Sequence, residues 1–450
     1  MFVREDTLTN KIGFWHVLLF AASLPFDRFY SELILISFLI HTLIHFRKSQ
    51  LNGFPARRVL LLQSVFLVTV LATLHTAYFP EAFKIWELQL AIFLFPLLLA
   101  MAAPGLAKYR THVLTAFAGA CMLAVAYLEW DALRIIQYNH LGYPALLSEQ
   151  FLNHNFSSPL GIHPTYLSMY VALSIICLLF SVFPNRAITG KIVCIGCALL
   201  LSASLLQLGS RSVMLAFLLL MALLPFFFRI LRYNRKMVFV SMVVIASTVV
   251  VVYRSDSLKK RFISDMVKDI TYTEPGHTRD EYRIVRWEAA VGLIRRSPLI
   301  GFGTGSEIDL LKKEYYNRKM YNSYLLQFNT HNQYLGLAVT AGIAGLAVFI
   351  GTLFIGFRAA IKRKDFILLG FLVIIATVSF SENILSVNKG IFFYGFFFPL
   401  LLFFSSEAGS GLGMQRQPCY RKKRLHEQEA RVEVPHLDEP ALPWTKDGKA

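Results

Sequence analysis

Residues 278–287 read TRDEYRIVRW and lie inside a long polar stretch, residues 254–332, that separates two hydrophobic runs. The polar stretch continues through SPLIGFGTG, residues 297–305, and ends at His331 and Asn332, where the next hydrophobic run begins. Hydrophobic runs interrupted by one long polar segment are typical of membrane helices that carry a large loop at one face of the bilayer. We therefore expect the membrane helices to hold this loop over a site.

Composition supports a membrane location. Hydrophobic residues make up 55% of the chain, charged residues make up 16%, and the mean hydropathy is +0.51. Soluble proteins carry about a quarter charged residues. The net charge of +17 does not indicate a nucleic-acid partner, because most basic residues lie in short connections, where they set the orientation of membrane helices.

The hydrophobic pattern predicts an all-α polytopic membrane protein with about 12 transmembrane helices and a large helical loop between spans 9 and 10. We divide the chain into an N-terminal group of five spans with an outer connection, a membrane domain that contains the loop 254–330, and a tail; these cover residues 1–160, 161–405 and 406–450. The predicted spans cover residues 11–26, 30–46, 58–78, 83–103, 111–130, 163–183, 190–207, 211–229, 237–253, 330–357, 366–384 and 390–406.

Basic residues predict the orientation. If the N-terminus is cytoplasmic, the short cytoplasmic connections hold sixteen lysines and arginines, and the opposite short connections hold five. Cytoplasmic loops of membrane proteins carry this excess. We therefore expect both termini in the cytoplasm, the loop 254–330 outside it, and a disordered cytoplasmic tail after residue 405.

The polar loop should contain two helices. Residues 257–270 are amphipathic and are expected to lie on the membrane surface. A second helix is expected to begin at Thr278, where Thr278 and Glu281 fit a capping box, and to end before Pro298. Its predicted docking face contains Ile284, Trp287, Val291 and Ile294.

Three arginines of that helix, Arg279, Arg283 and Arg286, form a stripe beside the docking face. Guanidinium groups match phosphate oxygens and stay charged, so the stripe suits a diphosphate. The alternative is a solvated helix face whose arginines pair with nearby carboxylates. Arg211, in the short turn between spans 7 and 8, is either a further ligand or an arginine that reaches to the interface.

The predicted topology brings further polar residues to the same membrane face as these arginines. His163 opens span 6, His331 opens span 10, and Glu382 lies in the last outer turn. A neutral His331 at a helix N-terminus could accept a proton from an attacking hydroxyl, and Asn332 could orient the ring or the substrate. The alternative is a histidine that caps the helix or lies at the interface.

Two other patterns give weaker signals. The glycines of residues 297–305 indicate a tight turn with close backbone approach, since the spacing fits neither a P-loop nor a dinucleotide fingerprint. The acidic pairs Glu307 with Asp309 and Asp265 with Asp269 lack further ligands nearby. We therefore expect no metal site.

Taken as a set, the motifs resemble the O-antigen ligase and polymerase superfamily over about residues 160–405. Besides the segments quoted above, the resemblance rests on GSRS at 209–212, HNQYL at 331–335, GIAGL at 342–346 and SEN at 381–383. It implies a GT-C-like glycosyltransferase of the bacterial inner membrane with its active site at the periplasmic face. Members of the superfamily take a glycan from undecaprenyl diphosphate without a metal or other cofactor.

The resemblance also implies roles and partners. Arg211, Arg283 and Arg286 would bind the diphosphate of the donor, and His331 would be the catalytic base. The acceptor would be lipid A-core for a ligase, another lipid-linked glycan for a polymerase, or a protein for an O-oligosaccharyltransferase. A multi-span transporter of an anionic or lipid-linked solute is the rival interpretation, although transporters usually bind near the bilayer midplane and contain inverted repeats.

Overall fold

A computed structural model describes residues 6–48, 54–229, 235–270 and 282–404. Within these ranges the chain is helical with no strand, as the sequence predicts. The long helices are α1 (Leu8–Ser23), α2 (Arg28–Ile44), α3 (Ala56–Ala72), α4 (Phe79–Leu106), α5 (Arg110–Tyr138), α7 (Pro164–Cys177), α8 (Ile188–Leu208), α9 (Arg211–Arg229), α10 (Arg235–Arg254), α16 (Gln333–Arg363), α17 (Phe366–Val378) and α18 (Asn388–Phe403). Shorter helices between them are α6 (His154–Ser157), α11 (Asp256–Lys259), α12 (Asp265–Ile270), α13 (Arg283–Arg296), α14 (Glu307–Asn317) and α15 (Tyr321–Leu325).

The long helices coincide in position with the predicted spans, but they differ in length. Within the described ranges, five helical stretches are long and apolar enough to cross a membrane, or six if the bent pair Val238–Arg254 and Asp256–Val267 counts as one. One of the five, Phe79–Tyr138, joins α4 and α5. The described residues thus form an all-helical fold with five or six candidate membrane spans, while the number of twelve spans stays a prediction.

Helix α17 shows why some spans fall short. Its 13 residues rise about 20 Å, less than the roughly 30 Å of a bilayer core. The predicted span continued to residue 384, but the helix ends at Val378, and this boundary prediction is wrong. The early end leaves Glu382 and Asn383 in an irregular turn. Such backbone at membrane depth is tolerated where protein buries it or a cavity accommodates it.

The core of the bundle is rich in aromatic side chains. Phe20 of α1 packs against Phe95 of α4 and Phe396 of α18, with ring centroids 4.5 and 4.8 Å apart. All three side chains are at most 1% exposed. Because lipid tails are as apolar as these rings, helix association here depends on close packing rather than on the hydrophobic effect.

The connections between helices gather at two ends of the bundle. At the end that we call the site end, Thr76 donates a hydrogen bond to the carbonyl of Thr304, and Lys260 pairs with Glu149 at 2.7 Å. At the opposite end, Arg110 pairs with Asp365 at 2.7 Å. Connections that the charge pattern assigned to one membrane face therefore contact one another.

Two helices of the polar loop, α13 and α14, pack on α16, and α15 packs on α14. Helix α13 begins at Arg283, after the N-cap residue Tyr282, and the predicted capping residues Thr278 and Glu281 lie outside the described residues. The predicted docking face is found only in part, because Ile284 and Ile294 pack against the buried cluster but Val291 does not. Val291 is 36% exposed, and the buried residues of α13 are Val285, Arg286, Ala289, Ala290 and Leu293.

The docking face is rotated because small side chains let α13 approach closely. Ala289 and Ala290 are fully buried against a cluster that includes Tyr315 of α14 and Val339 of α16. The larger Trp287 instead donates its indole N–H to the carbonyl of Thr330 at 3.0 Å. The rotation has a consequence for the arginine stripe, since it turns Arg286 inward.

The glycine turn, residues 297–305, is inserted into a break in α16. Gly342 has φ 64° and ψ −167°, so the helix is interrupted there. The N–H groups of Phe302 and Gly303 donate to carbonyls of α16 before the break, and the N–H groups of Ile343 and Ala344 donate to the turn. A Cβ atom at Gly342 would lie 2.2 Å from the carbonyl oxygen of Leu299. The expected close approach of backbones is therefore found, between the turn and a helix.

Candidate functional site

His331 occupies a constrained position just before α16. Its φ of 45° lies in the left-handed region, which is uncommon outside glycine, although histidine tolerates it better than most residues. The backbone N–H donates to the side chain of Asn329 at 2.9 Å, and the ring nitrogen Nδ1 lies 3.3 Å from Oε2 of Glu382. Unusual backbone angles often mark functional sites, because the surrounding structure must stabilise them.

Glu382 lies between His331 and Arg283. Its Oε1 is 3.6 Å from an Nη atom of Arg283, and its side chain is 12% exposed. Burial alone raises the pKa of the Glu382 carboxyl. The hydrogen bond to His331 and the charges of His331, Arg283 and His163 outweigh burial and hold this pKa below its usual range. Glu382 is therefore a carboxylate at neutral pH, placed to attract positive charge on the imidazole.

The two described arginines of the predicted stripe differ in environment. The side chain of Arg283 is 25% exposed, whereas Arg286 as a residue is only 8% exposed. The Arg286 guanidinium lies 4.8 Å from the ring centre of Phe328, which in turn contacts the His331 ring edge-on at 5.6 Å. Arg283 thus lies on the more exposed side of the site, whereas Arg286 is buried and packs against the ring of Phe328. Arg279 lies outside the described residues.

A buried polar network fixes the segment that carries His331. Glu307 accepts hydrogen bonds from the backbone and hydroxyl of Thr330 and from the side-chain amide of Asn383. Asn383 accepts from the backbone N–H of Asn332 at 2.7 Å. Asn332 caps α16 by accepting from the N–H groups of Tyr334 and Leu335. The network joins three separate parts of the chain around the histidine.

Glu307 is the site residue that sequence reasoning missed. In the sequence, Glu307 stood out only as a possible metal ligand together with Asp309. Its actual partners are 23 and 76 residues away along the chain, and no local pattern points to them. The one feature of the sequence that could have pointed to Glu307 is its position shortly after the glycine turn, because that turn packs against α16. Asn332 was expected to orient the ring or the substrate, whereas its side chain caps the helix.

His163 also belongs to the cluster. It forms the N-cap of α7, where its side chain accepts from the N–H of Thr165, and its ring lies 4.7 Å from that of His154. Burial lowers the pKa of His163, and the nearby Glu382 carboxylate opposes the effect only in part. His163 is therefore neutral at pH 7. The predicted meeting of His163, His331, Arg283 and Glu382 is found.

Arg211 is the first residue of α9 and is half-buried. The adjacent turn is held by Arg261, whose Nε donates to the carbonyl of Gly209 at 3.1 Å. The charge of Arg261 acts on His154, which contacts His163. Arg211 thus begins a helix beside a turn that is linked to the histidine cluster through Arg261 and His154. Within the described parts of the chain, no three His, Cys, Asp or Glu side chains form a group suited to a metal ion.

Comparison with known proteins agrees with the motifs in the sequence. A model of the family described as O-antigen ligase matches residues 196–350, which include Arg211, Arg283, Arg286 and His331. His163 and Glu382 lie outside the matched segment. A search of curated proteins returns no match. The match covers about a third of the chain; over residues 196–350 it supports the O-antigen ligase superfamily and suggests glycan transfer of the ligase or polymerase type.

Proposed function

We propose that this protein is an O-antigen ligase that moves a glycan from undecaprenyl diphosphate to lipid A-core oligosaccharide at the periplasmic face of the bacterial inner membrane. The observation that carries the proposal is the contact of His331 with Glu382, 3.3 Å apart, beside Arg283 and within a chain of this superfamily. A histidine backed by a carboxylate is suited to accept a proton from a hydroxyl group.

The chemistry is an inverting transfer. His331 takes the proton of the acceptor hydroxyl, the hydroxyl oxygen attacks the anomeric carbon, and the bond from that carbon to the lipid diphosphate breaks. If Nδ1 carries a proton toward Glu382, Nε2 is the nitrogen that receives the hydroxyl proton. Glu382 then stabilises the imidazolium that forms, so it positions and supports the base without touching the substrate.

Arginines stabilise the charge that grows on the leaving diphosphate. In this proposal Arg283 is the principal ligand because it is the more exposed of the two described arginines of the predicted stripe, and Arg211, the first residue of α9, is a further ligand. Arg286 acts from a buried position, where charges interact more strongly than in water. No step requires a metal ion.

The test uses a strain from which the gene has been deleted. Wild-type protein should restore long glycan chains on lipopolysaccharide, as seen on gels. His331→Ala, inserted at the same level, should not restore them. Restoration by that variant would reject His331 as the base.

The gel also separates the related activities. Loss of all long capped chains on deletion indicates a ligase. Lipid A-core that carries a single repeat indicates a polymerase, and unchanged lipopolysaccharide with loss of a glycosylated protein indicates a protein O-oligosaccharyltransferase. Purified protein in vesicles addresses the transporter alternative, because an enzyme forms product without moving solute across the bilayer.

A further inference from the structure

A groove of about 260 Å³ opens at the site end, beside the histidines. One wall is the connection after α5, including Glu149, Asn153 and Asn155. The other wall is the segment after α10, which includes Lys260 and turns by 104° from the axis of that helix. The two walls meet through the Lys260–Glu149 ion pair at 2.7 Å.

Both walls are attached to the C-terminal end of α8. The backbone N–H of Asn153 donates to the carbonyl of Gln207 at 2.7 Å, and Arg261 donates to the carbonyl of Gly209. Backbone hydrogen-bond acceptors of the helix bundle therefore hold both walls of the groove in place. It also reaches the candidate site, since His154 lines the groove and its ring lies 4.7 Å from that of His163.

The chemistry of the lining indicates the kind of ligand. Its two cations each lie near a carboxylate: Lys260 pairs with Glu149, and Arg261 lies 4.0 Å from Asp265. Such balanced charge does not suit a diphosphate, which needs an excess of positive charge. The lining amides and hydroxyl supply further donors and acceptors. A sugar hydroxyl both donates and accepts, so this mixture suits a saccharide.

We propose that this groove binds sugar units of a glycan next to the bond that is made or broken. The proposal rests on the proposed glycan transfer, and it adds a saccharide site formed by residues 149–155 and 257–265. The glycan is either the acceptor or the transferred chain, and both have the hydroxyl-rich chemistry that the groove recognises.

The experiment measures binding of soluble saccharides to the full-length protein in detergent. The probes are core oligosaccharide and repeat-unit oligosaccharide, each released from lipopolysaccharide of the same strain and freed of lipid. Wild-type protein should bind one of them, and the one that binds identifies the source. Asn155→Ala and Lys260→Ala should each weaken that binding about 10-fold, as loss of a good hydrogen bond does.

Lys259→Ala is the matched control, because Lys259 is exposed, adjacent and outside the lining. It should bind saccharide as wild type does. Asn155→Trp, which fills the groove from an exposed position, should abolish binding without changing the thermal unfolding temperature. If neither saccharide binds wild-type protein, or if Asn155→Trp binds it normally, the groove is not a saccharide site.

The experiment also separates this proposal from the proposed function. His331→Ala should bind saccharide normally while it fails to transfer glycan. If His331→Ala keeps transfer activity and Asn155→Trp still loses saccharide binding, the proposed base is wrong, but the groove is still a saccharide site. If transfer depends on His331 but the groove variants bind saccharide normally, the proposed base is supported and the groove is not a saccharide site.

Discussion

Each end of the helix bundle contains a carboxylate that faces an arginine, but the two pairs are held very differently. At the opposite end, Oδ2 of Asp365 lies 2.7 Å from Arg110, and Oδ1 accepts from the N–H groups of Ile367 and Leu368. The two charged side chains are 5% and 6% exposed. This buried pair lies at the start of α17, where Asp365 also caps the helix.

At the site end, Glu382 is held more loosely. Its distances to Arg283 and His331 are 3.6 and 3.3 Å, and those partners are 25% and 28% exposed. In the proposed function, Arg283 turns from Glu382 to a phosphate of the donor, and His331 takes up a proton. The two pairs therefore differ in burial and in contact distance: Asp365 faces a buried arginine at 2.7 Å, whereas the partners of Glu382 are partly exposed and lie farther away.

The largest expected effect concerns the closed pair. Asp365→Asn keeps the helix cap but leaves the Arg110 guanidinium buried without a counter-ion, which should cost about 3–5 kcal/mol of stability. Thermal unfolding in detergent measures the loss, while transfer activity per folded molecule should be unchanged. Adding Arg110→Met should restore part of the stability. An Asp365→Asn protein as stable as wild type would show that the pair is not structural.

The second effect concerns the open carboxylate. Glu382→Gln should lower kcat about 100-fold, in the range typical of general base catalysis, because the imidazolium loses its stabilising charge. Stability and the KM for donor should change little, since the contacts of Glu382 are long. Glu288→Gln, an exposed carboxylate on α13, is the control. If stability falls and kcat does not, Glu382 stabilises the fold, as Asp365 does, and does not support the base.

A smaller effect tests whether Arg283 meets a phosphate. Arg283→Lys keeps the charge but loses the fork that binds two oxygens, so KM for the lipid-linked donor should rise about 10-fold. Steady-state kinetics with purified donor measures the change. Arg295→Lys, at an exposed arginine of the same helix, should behave as wild type. Unchanged donor affinity in Arg283→Lys would contradict a diphosphate contact.

The smallest effect is a pH dependence of stability. The pKa of His163 is lowered in the folded protein, so the unfolded chain takes up its proton first, near pH 6.5. The contribution of neutral His163 to the free energy of unfolding is therefore fully present above that pH. It decreases as the pH falls from 6.5 toward the folded-state pKa. His163→Gln should reduce the dependence of the unfolding temperature on pH between pH 5 and 8. His75→Gln, at an exposed histidine, should leave the slope unchanged.

The sequence predicted the helical membrane class and which residues of the site share one face. Hydrophobic segments are local, and their length and spacing can be read along the chain. The resemblance to the O-antigen ligase superfamily rested on short motifs and is confirmed by the family match over residues 196–350. Those same local signals placed the end of the span 366–384 too late and identified only part of the docking face of α13.

Contacts between distant segments required the tertiary structure. His331 and Glu382 are 51 residues apart, and Glu307 and Asn383 are 76 apart, so neither pair leaves a periodic pattern. The break of α16 at Gly342 likewise exists because the glycine turn supplies backbone partners there. The sequence by itself predicted the helical class, the resemblance to the superfamily and the candidate base. Only packing decided which carboxylate reaches that base and which arginine is turned inward, because these depend on how helices rotate against their neighbours.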